Sequence, residues 1–241
     1  MKQLLRGVAV LALTGAAATA QAGEGSVNVG FDSTYVFRGI EQNDSSVNGG
    51  VDWENAFGDS NFGYYVGVWG AEVDPGLELD YYGGFTASLG DFDLLAGYTY
   101  YDYTDNFDDT YKEFNLGADW KFLSFSSAIG EYDNFDGEDQ DYQYYELTAE
   151  HNGFFATVGS FHDDFDGEFV QLGYGGAIAG VDVSASWIYS NSDLVDGVGA
   201  DENGNGGNEG SDQWFILQVS KSFSFEQVGN AWRGLQAAAK K

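Results

Sequence analysis

Residues 27–42 read VNVGFDSTYVFRGIEQ. Taken alternately, one face carries Val27, Val29, Phe31, Ser33, Tyr35 and Phe37. The other carries Asn28, Gly30, Asp32, Thr34, Val36 and Arg38. Successive side chains of a strand point to opposite faces, so this pattern describes a strand with an apolar environment on one side and a polar one on the other. Residues 1–22 read as a secretory leader: Lys2 and Arg6 form a basic start, residues 7–13 an apolar run, and Ala20-Gln21-Ala22 a small-x-small cleavage site. No stretch is apolar for long enough to form a helical membrane span. An exported strand of this kind suits the wall of an outer-membrane barrel, apolar outward and polar inward.

Composition narrows the classes. The chain has 39 acidic and 9 basic residues. Removing Lys2 and Arg6 with the leader leaves 39 acids against 7 bases, a net charge of −32. Nucleic acid as a partner is excluded by that balance, because phosphate contacts need Lys and Arg. The absence of cysteine removes disulfides, thiol catalysis, thiolate metal sites and a lipidated N-terminus. With 19 Phe, 16 Tyr, 6 Trp and 35 Gly, the chain is too aromatic for a disordered polyanion. The single proline, Pro75, falls in a turn, as a chain of many strands requires.

Alternating segments recur along the chain at 27–42, 47–56, 62–73, 77–89, 92–103, 111–120, 122–132, 142–151, 154–162, 168–178, 181–190 and 212–225. Residues 77–89 alternate most cleanly: Leu77, Leu79, Tyr81, Phe85, Ala87 and Leu89 against Glu78, Asp80, Tyr82, Thr86 and Ser88. In 62–73 two faces compete, and Tyr64, Val66 and Val68 are taken as outward; in 154–162 the faces stay open. Gly90-Asp91 and Asn152-Gly153 are two-residue hairpin signals. Connections alternate between tight and long acidic ones, the asymmetry of a bacterial barrel. The expectation is an all-β chain: one transmembrane antiparallel barrel of about twelve strands, each near the ~9–11 residues that cross a bilayer at a tilt, with both termini periplasmic. The domains are a leader at 1–22, a barrel at 23–225 and a basic tail at 226–241, with a short helix expected over 230–239.

The string STYVFRGIEQ, with Tyr-x-Phe-Arg-Gly at 35–39, resembles the first strand of the TorF-like porins, a family of small Gram-negative outer-membrane barrels. LELDYYGG at 77–84, Tyr100-Tyr101-x-Tyr103 and VSKSF at 219–223 are also similar. The resemblance implies a porin-like barrel in the outer membrane and names no solute. Such barrels commonly end on an aromatic residue, here Phe223 or Phe225, whereas this chain continues with EQVGNAWRGLQAAAKK.

The inward faces nominate a lumen lining of Asp32, Arg38, Asp52, Glu54, Glu78, Asp80, Tyr82, Glu113, Glu146 and Glu150. Rings of carboxylates concentrate cations, so the function expected is passive diffusion of small cationic or polar solutes, with outer-membrane lipid and ions as partners. The opposing reading is a packed polar plug, with Arg38 paired to the acids and no water path. A barrel of about twelve strands lies between filled and open sizes. In that case the chain is a non-channel barrel with a surface-structural or adhesive role through its acidic loops. A secreted soluble β-sandwich is the third class; aromatic residues at the strand ends argue against it.

Asp201, Asn203, Asn205 and Asp212 approach the spacing of a calcium loop, with Gly206 at the turn, and would bind the ion at low affinity. No other cofactor is expected. His162-Asp163-Asp164 is the sole hydrolase-like constellation and lacks a placed nucleophile, so an enzyme is not expected.

Overall fold

The computed structural model describes residues 23–135, 137–195 and 210–238. Twelve strands form a closed antiparallel barrel: β1 (Glu24–Asp32), β4 (Ser46–Ala56), β5 (Phe62–Glu72), β6 (Leu77–Leu89), β7 (Phe92–Tyr103), β8 (Tyr111–Trp120), β9 (Leu123–Tyr132), β10 (Gln140–His151), β11 (Phe154–Asp163), β12 (Gly167–Ile178), β13 (Val181–Ser190) and β14 (Asp212–Ser224). Neighbours in sequence are neighbours in the wall, and β14 pairs back on β1, with Val29 opposite Lys221. Closure removes every sheet edge. A two-stranded hairpin, β2 (Tyr35–Phe37) and β3 (Ile40–Asn43), stands apart from the wall. A short helix α1 (Ser192–Val195) lies in the β13–β14 connection, and α2 (Phe225–Ala238) follows β14.

One end of the barrel carries tight turns at 57–61, 90–91, 121–122, 152–153 and 179–180. Asn152 and Gly153, at φ 53° and 83°, and Ala179 and Gly180, at 54° and 77°, take the left-handed conformations that match a hairpin to the strand twist. The other end carries the loops at 33–45, 73–76, 104–110 and 164–166 and the described parts of the connections after β9 and β13. These are called the turn end and the loop end.

The outward face is predominantly apolar, with Val29, Phe31, Val51, Tyr81, Phe85, Phe114, Leu116, Ile129, Leu147, Leu172 and Leu217 all exposed. Val66 and Val68 of β5 point outward while Trp69 is buried inside. In β11 the open question resolves with Phe154 and Val158 outward and Phe155, Thr157 and Phe161 inward.

The first predicted strand is corrected. Alternation carries it to residue 42, but the wall ends at Asp32, which pairs with Ser46 on one side and Gln218 on the other. Beyond that level β4 offers no partner, and only β14 continues alongside. Ser33 closes the seam: its N–H donates to the Leu217 carbonyl (2.9 Å), and its Oγ accepts from the Leu217 N–H (2.9 Å). The chain then turns in and pairs with itself. Arg38 (φ 49°) and Gly39 (φ 82°) form the two-residue turn of the hairpin. Tyr35 and Phe37 therefore face protein, not the outside.

The tail helix also starts earlier than expected. Ser224 Oγ accepts from the Gln227 N–H (3.2 Å), and Gln227 Oε1 accepts from the Ser224 N–H (2.9 Å). That reciprocal capping box at Ser224-x-x-Gln227 sets the start of α2.

Candidate functional site: a seated hairpin across the lumen

The hairpin keeps its alternation but meets protein on both sides. Tyr35 and Phe37 pack with Trp69, Ala71 and Val73 of one wall. Val36 and Ile40 pack against Tyr142, Tyr144, Phe161, Phe169 and Ile188 of the opposite wall. The segment thus divides the loop-end half of the lumen into two small cores.

Its tip is held by charge. Arg38 donates through both terminal nitrogens to Glu113, at 2.8 Å each, in the bidentate geometry favoured by guanidinium and carboxylate. Glu113 is fully buried and also accepts from Tyr101 (2.7 Å), Tyr142 (2.8 Å) and Asn115 (2.7 Å). Thr99 in turn donates to Asn115 Oδ1 (2.8 Å). The guanidinium also lies over the rings of Tyr144, at 4.2 Å, and Phe37, at 4.8 Å. Every lone pair of the carboxylate is engaged, which is what a buried ion pair needs to offset its desolvation. At the turn, the Ser190 hydroxyl donates to the Gly39 carbonyl (2.6 Å).

The other end of the hairpin is tied to β6. Tyr35 Oη donates to both oxygens of Glu78, at 3.2 and 3.1 Å. Asp80, two residues on along the inward face of β6, is buried as well. Its Oδ1 has no partner among the described residues. Three buried carboxyl groups, Glu78, Asp80 and Glu113, therefore face one guanidinium. Above the seat, Asp108 in the β7–β8 loop accepts from Tyr111 (2.9 Å) and Tyr132 (2.8 Å). Burial raises its pKa above the ordinary aspartate range, against the lowering effect of those bonds. A cavity of about 50 Å³ remains between the hairpin and this loop, room for water rather than solute.

Of the nominated lining, Arg38, Glu78, Asp80, Glu113 and Glu146 lie in this dry layer, and Tyr144 donates to Glu146 (2.6 Å). Asp32 is buried beside it and accepts from Asn48 (2.7 Å). Asp52 accepts from Asn28 (3.1 Å) and from Tyr82. Asp52, Glu54, Tyr82 and Glu150 are half-buried and point into the turn-end half, which the hairpin does not fill. Sequence reasoning passed over Tyr35, Tyr101, Tyr142 and the inward Phe161, Phe169, Ile188 and Ile216. The signal was present in β14, where Trp214 to Leu217 is apolar on both faces, the mark of a strand buried on both sides.

Asp201, Asn203 and Asn205 of the calcium spacing lie outside the described residues, as does the leader; Asp212 opens β14. The spatial cluster Glu131, Asp133 and Asp139 is already met by Lys112, 2.6 Å from Asp133 and 3.6 Å from Glu131. Ser160 Oγ stands 3.2 Å from His162 Nε2 on the outer face of β11, while the neighbouring Asp163 accepts from Gln143, and among the described residues no carboxylate is hydrogen-bonded to the imidazole.

Residues 16–223 match the family model described as a bacterial protein of unknown function, Gcw_chp. The chain belongs to the Gcw_chp family. Among curated proteins none matches it in sequence. In structure this Gcw_chp chain is similar to an outer membrane channel from Pseudomonas putida F1, with TM-score 0.52 and 9% identity over 88% of this chain and 98% of that one. It is also similar to a structure from work on in-meso crystallization of membrane proteins, with TM-score 0.55 and 11% identity over 84% of each chain. At such identities the likeness concerns the barrel fold alone.

Proposed function

We propose that this Gcw_chp chain is a porin-like channel of the outer membrane of a Gram-negative bacterium, through which small cationic or polar solutes diffuse passively. The observation that carries the reading is the state of the lumen. Its turn-end half is half-exposed and polar, with Asp52, Glu54, Asp93, Asp119, Glu150 and Asp182 inward. Its loop-end half is sealed by one hairpin seated through side-chain bonds, with no covalent tie. The barrel fold of an outer membrane channel and the TorF-like motifs support the same reading. Transport needs no chemistry and no cofactor: the hairpin shifts off its seat and inward carboxylates favour cations. A low-affinity calcium ion on Asp201, Asn203, Asn205 and Asp212 is a subsidiary proposal. Millimolar calcium should protect that loop from proteolysis, and Asp201→Ala should remove the protection.

The dry layer at the hairpin favours a second reading, a closed barrel whose role lies in its acidic loops. Planar-bilayer recording separates the two. The channel reading expects discrete conductance steps with potassium preferred over chloride. Silence from both the wild type and a variant with the seat removed, Arg38→Ala, leaves the surface-structural reading in its place.

A further inference from the structure

Helix α2 leaves the wall at the turn end and is covered by almost nothing. Phe225, Val228 and Trp232, spaced i, i+3 and i+7, share one side, and all are exposed, Trp232 by 63%. Glu226, Gln227, Asn230 and Arg233 occupy the opposite side. A 14-residue helix is marginal alone in water, and Gly229 and Gly234 weaken this one further. Something must cover the apolar stripe.

Its position says what. The Phe225 ring sits 6.2 Å from Trp53, on the outer face of β4, and lies over Gly25 at the start of β1. Trp53 belongs to a belt of exposed aromatics around the turn end, with Phe62, Phe92, Trp120, Phe122 and Phe154. Such belts mark the level of a membrane interface. The stripe of α2 therefore continues the lipid-facing surface. Charge agrees: residues 225–241 hold one acid, Glu226, and three bases, Arg233, Lys240 and Lys241, in a chain of 39 acids and 9 bases.

We propose that α2 is an interfacial helix lying in the headgroup layer of the leaflet at the turn end, with Phe225, Val228 and Trp232 among the acyl chains and Arg233 on anionic lipid headgroups. This rests on the membrane-barrel reading. The occupant is a lipid surface, and the helix fastens the β1–β14 seam to it.

The absence of cysteine makes the test direct. Single variants Val228→Cys, Asn230→Cys, Trp232→Cys and, as a wall control, Phe85→Cys are labelled with an environment-sensitive fluorophore. The full chain is folded into vesicles of phosphatidylcholine with phosphatidylglycerol, and aqueous iodide quenching is measured. Labels at 228, 232 and 85 should be quenched several-fold less than the label at 230. Pure phosphatidylcholine should weaken protection at 232 and leave 85 unchanged. Protection that ignores the lipid charge strikes out the headgroup contact. Equal quenching at 228, 230 and 232 with Phe85→Cys protected overturns the helix inference alone. Quenching of Phe85→Cys to the level of 230 overturns the barrel reading and this inference with it. Protection that appears without vesicles and rises with protein concentration assigns the stripe to a second copy and refutes the lipid surface.

Discussion

The two halves of the lumen are built from the same twelve strands and the same inward alternation, yet they differ in solvent. Along β6, Glu78 and Asp80 are buried while Tyr82, Thr86 and Ser88 are half-exposed. Along β10, Tyr142, Tyr144 and Glu146 are buried while Thr148 and Glu150 are half-exposed. The change falls at the depth reached by the β2–β3 hairpin. The same residue type thus does different work at each end. A glutamate near the turn end is half-exposed, in the part of the lumen the hairpin does not fill; a glutamate near the loop end is a buried anchor that must be paired. Local environment, and not the charge count, separates lining from seat.

The largest expected difference comes from removing one partner of the buried ion pair. Arg38→Ala leaves Glu113 buried without its counter-charge, and breaking such a pair costs about 3–5 kcal/mol. Glu150→Gln, in the solvated half, should stay within about 0.5 kcal/mol of wild type, as surface changes do. Denaturant or heat unfolding of the refolded barrel measures both. Replacing the pair together, Arg38→Met with Glu113→Leu, removes the unpaired charge but takes the acceptor from Tyr101, Tyr142 and Asn115, so it should recover only part of the loss. A double variant as unstable as Arg38→Ala would show that the tyrosines, and not the charges, hold the hairpin.

The next contrast crosses the wall instead of the lumen, within the solvated half. Phe85 points out and is 64% exposed, while its neighbour Thr86 points in. Phe85→Arg should cost ~2–4 kcal/mol if it lies at the midplane of a bilayer, and Thr86→Arg much less. Equal loss of heat-modifiable folded barrel in the two variants would overturn the inside–outside assignment of β6.

Smaller effects follow at the two kinds of turn. Gly39 and Gly90 both sit at positive φ, 82° and 69°. A Cβ on Gly39 would come within 2.8 Å of Phe169 and 2.7 Å of Leu194, whereas one on Gly90 would meet nothing within 4 Å. Gly90→Ala should therefore cost only the left-handed backbone penalty, about 1–2 kcal/mol. Gly39→Ala should cost more and should unseat the hairpin. Faster proteolysis in 33–45 reads the unseating directly, and cleavage no faster than in Gly90→Ala would mean the turn yields without releasing its anchors.

Much of the wall was legible in the sequence because alternation is a local property. The strand positions, the clean faces of β6 and β8 and the turns at Gly90-Asp91 and Asn152-Gly153 all depend on neighbours in the chain. The seat was not legible, because it depends on where the wall stops. Nothing in VNVGFDSTYVFRGIEQ says that β4 begins only beside Asp32 or that the chain leaves β14 there, so the alternation of Tyr35 and Phe37 looked like more of the lipid face. The turn was visible only in retrospect: Arg38-Gly39 resembles any other residue pair until a positive φ is required of both. The capping box at Ser224 was readable, and was masked by the expectation that the last strand ends on an aromatic.

The smallest effect concerns ions, and it probes whether the solvated half sets selectivity. Glu113 is neutralised by Arg38 and cannot attract a cation while the pair stands. The field available to a passing ion comes from unneutralised acids in the turn-end half, among them Asp52. Its carboxylate is held by Asn28 and Tyr82 but has no cation beside it among the described residues. Asp52→Asn with Glu150→Gln should lower the potassium-over-chloride preference. The shift should be greatest at low salt and fade toward molar salt, where the screening length falls to about 3 Å. Reversal potentials across a salt gradient measure it. If the double variant keeps the wild-type selectivity while Asp80→Asn with Glu113→Gln loses it, the ions pass through the seat itself. The dry layer would then be the filter, not the plug.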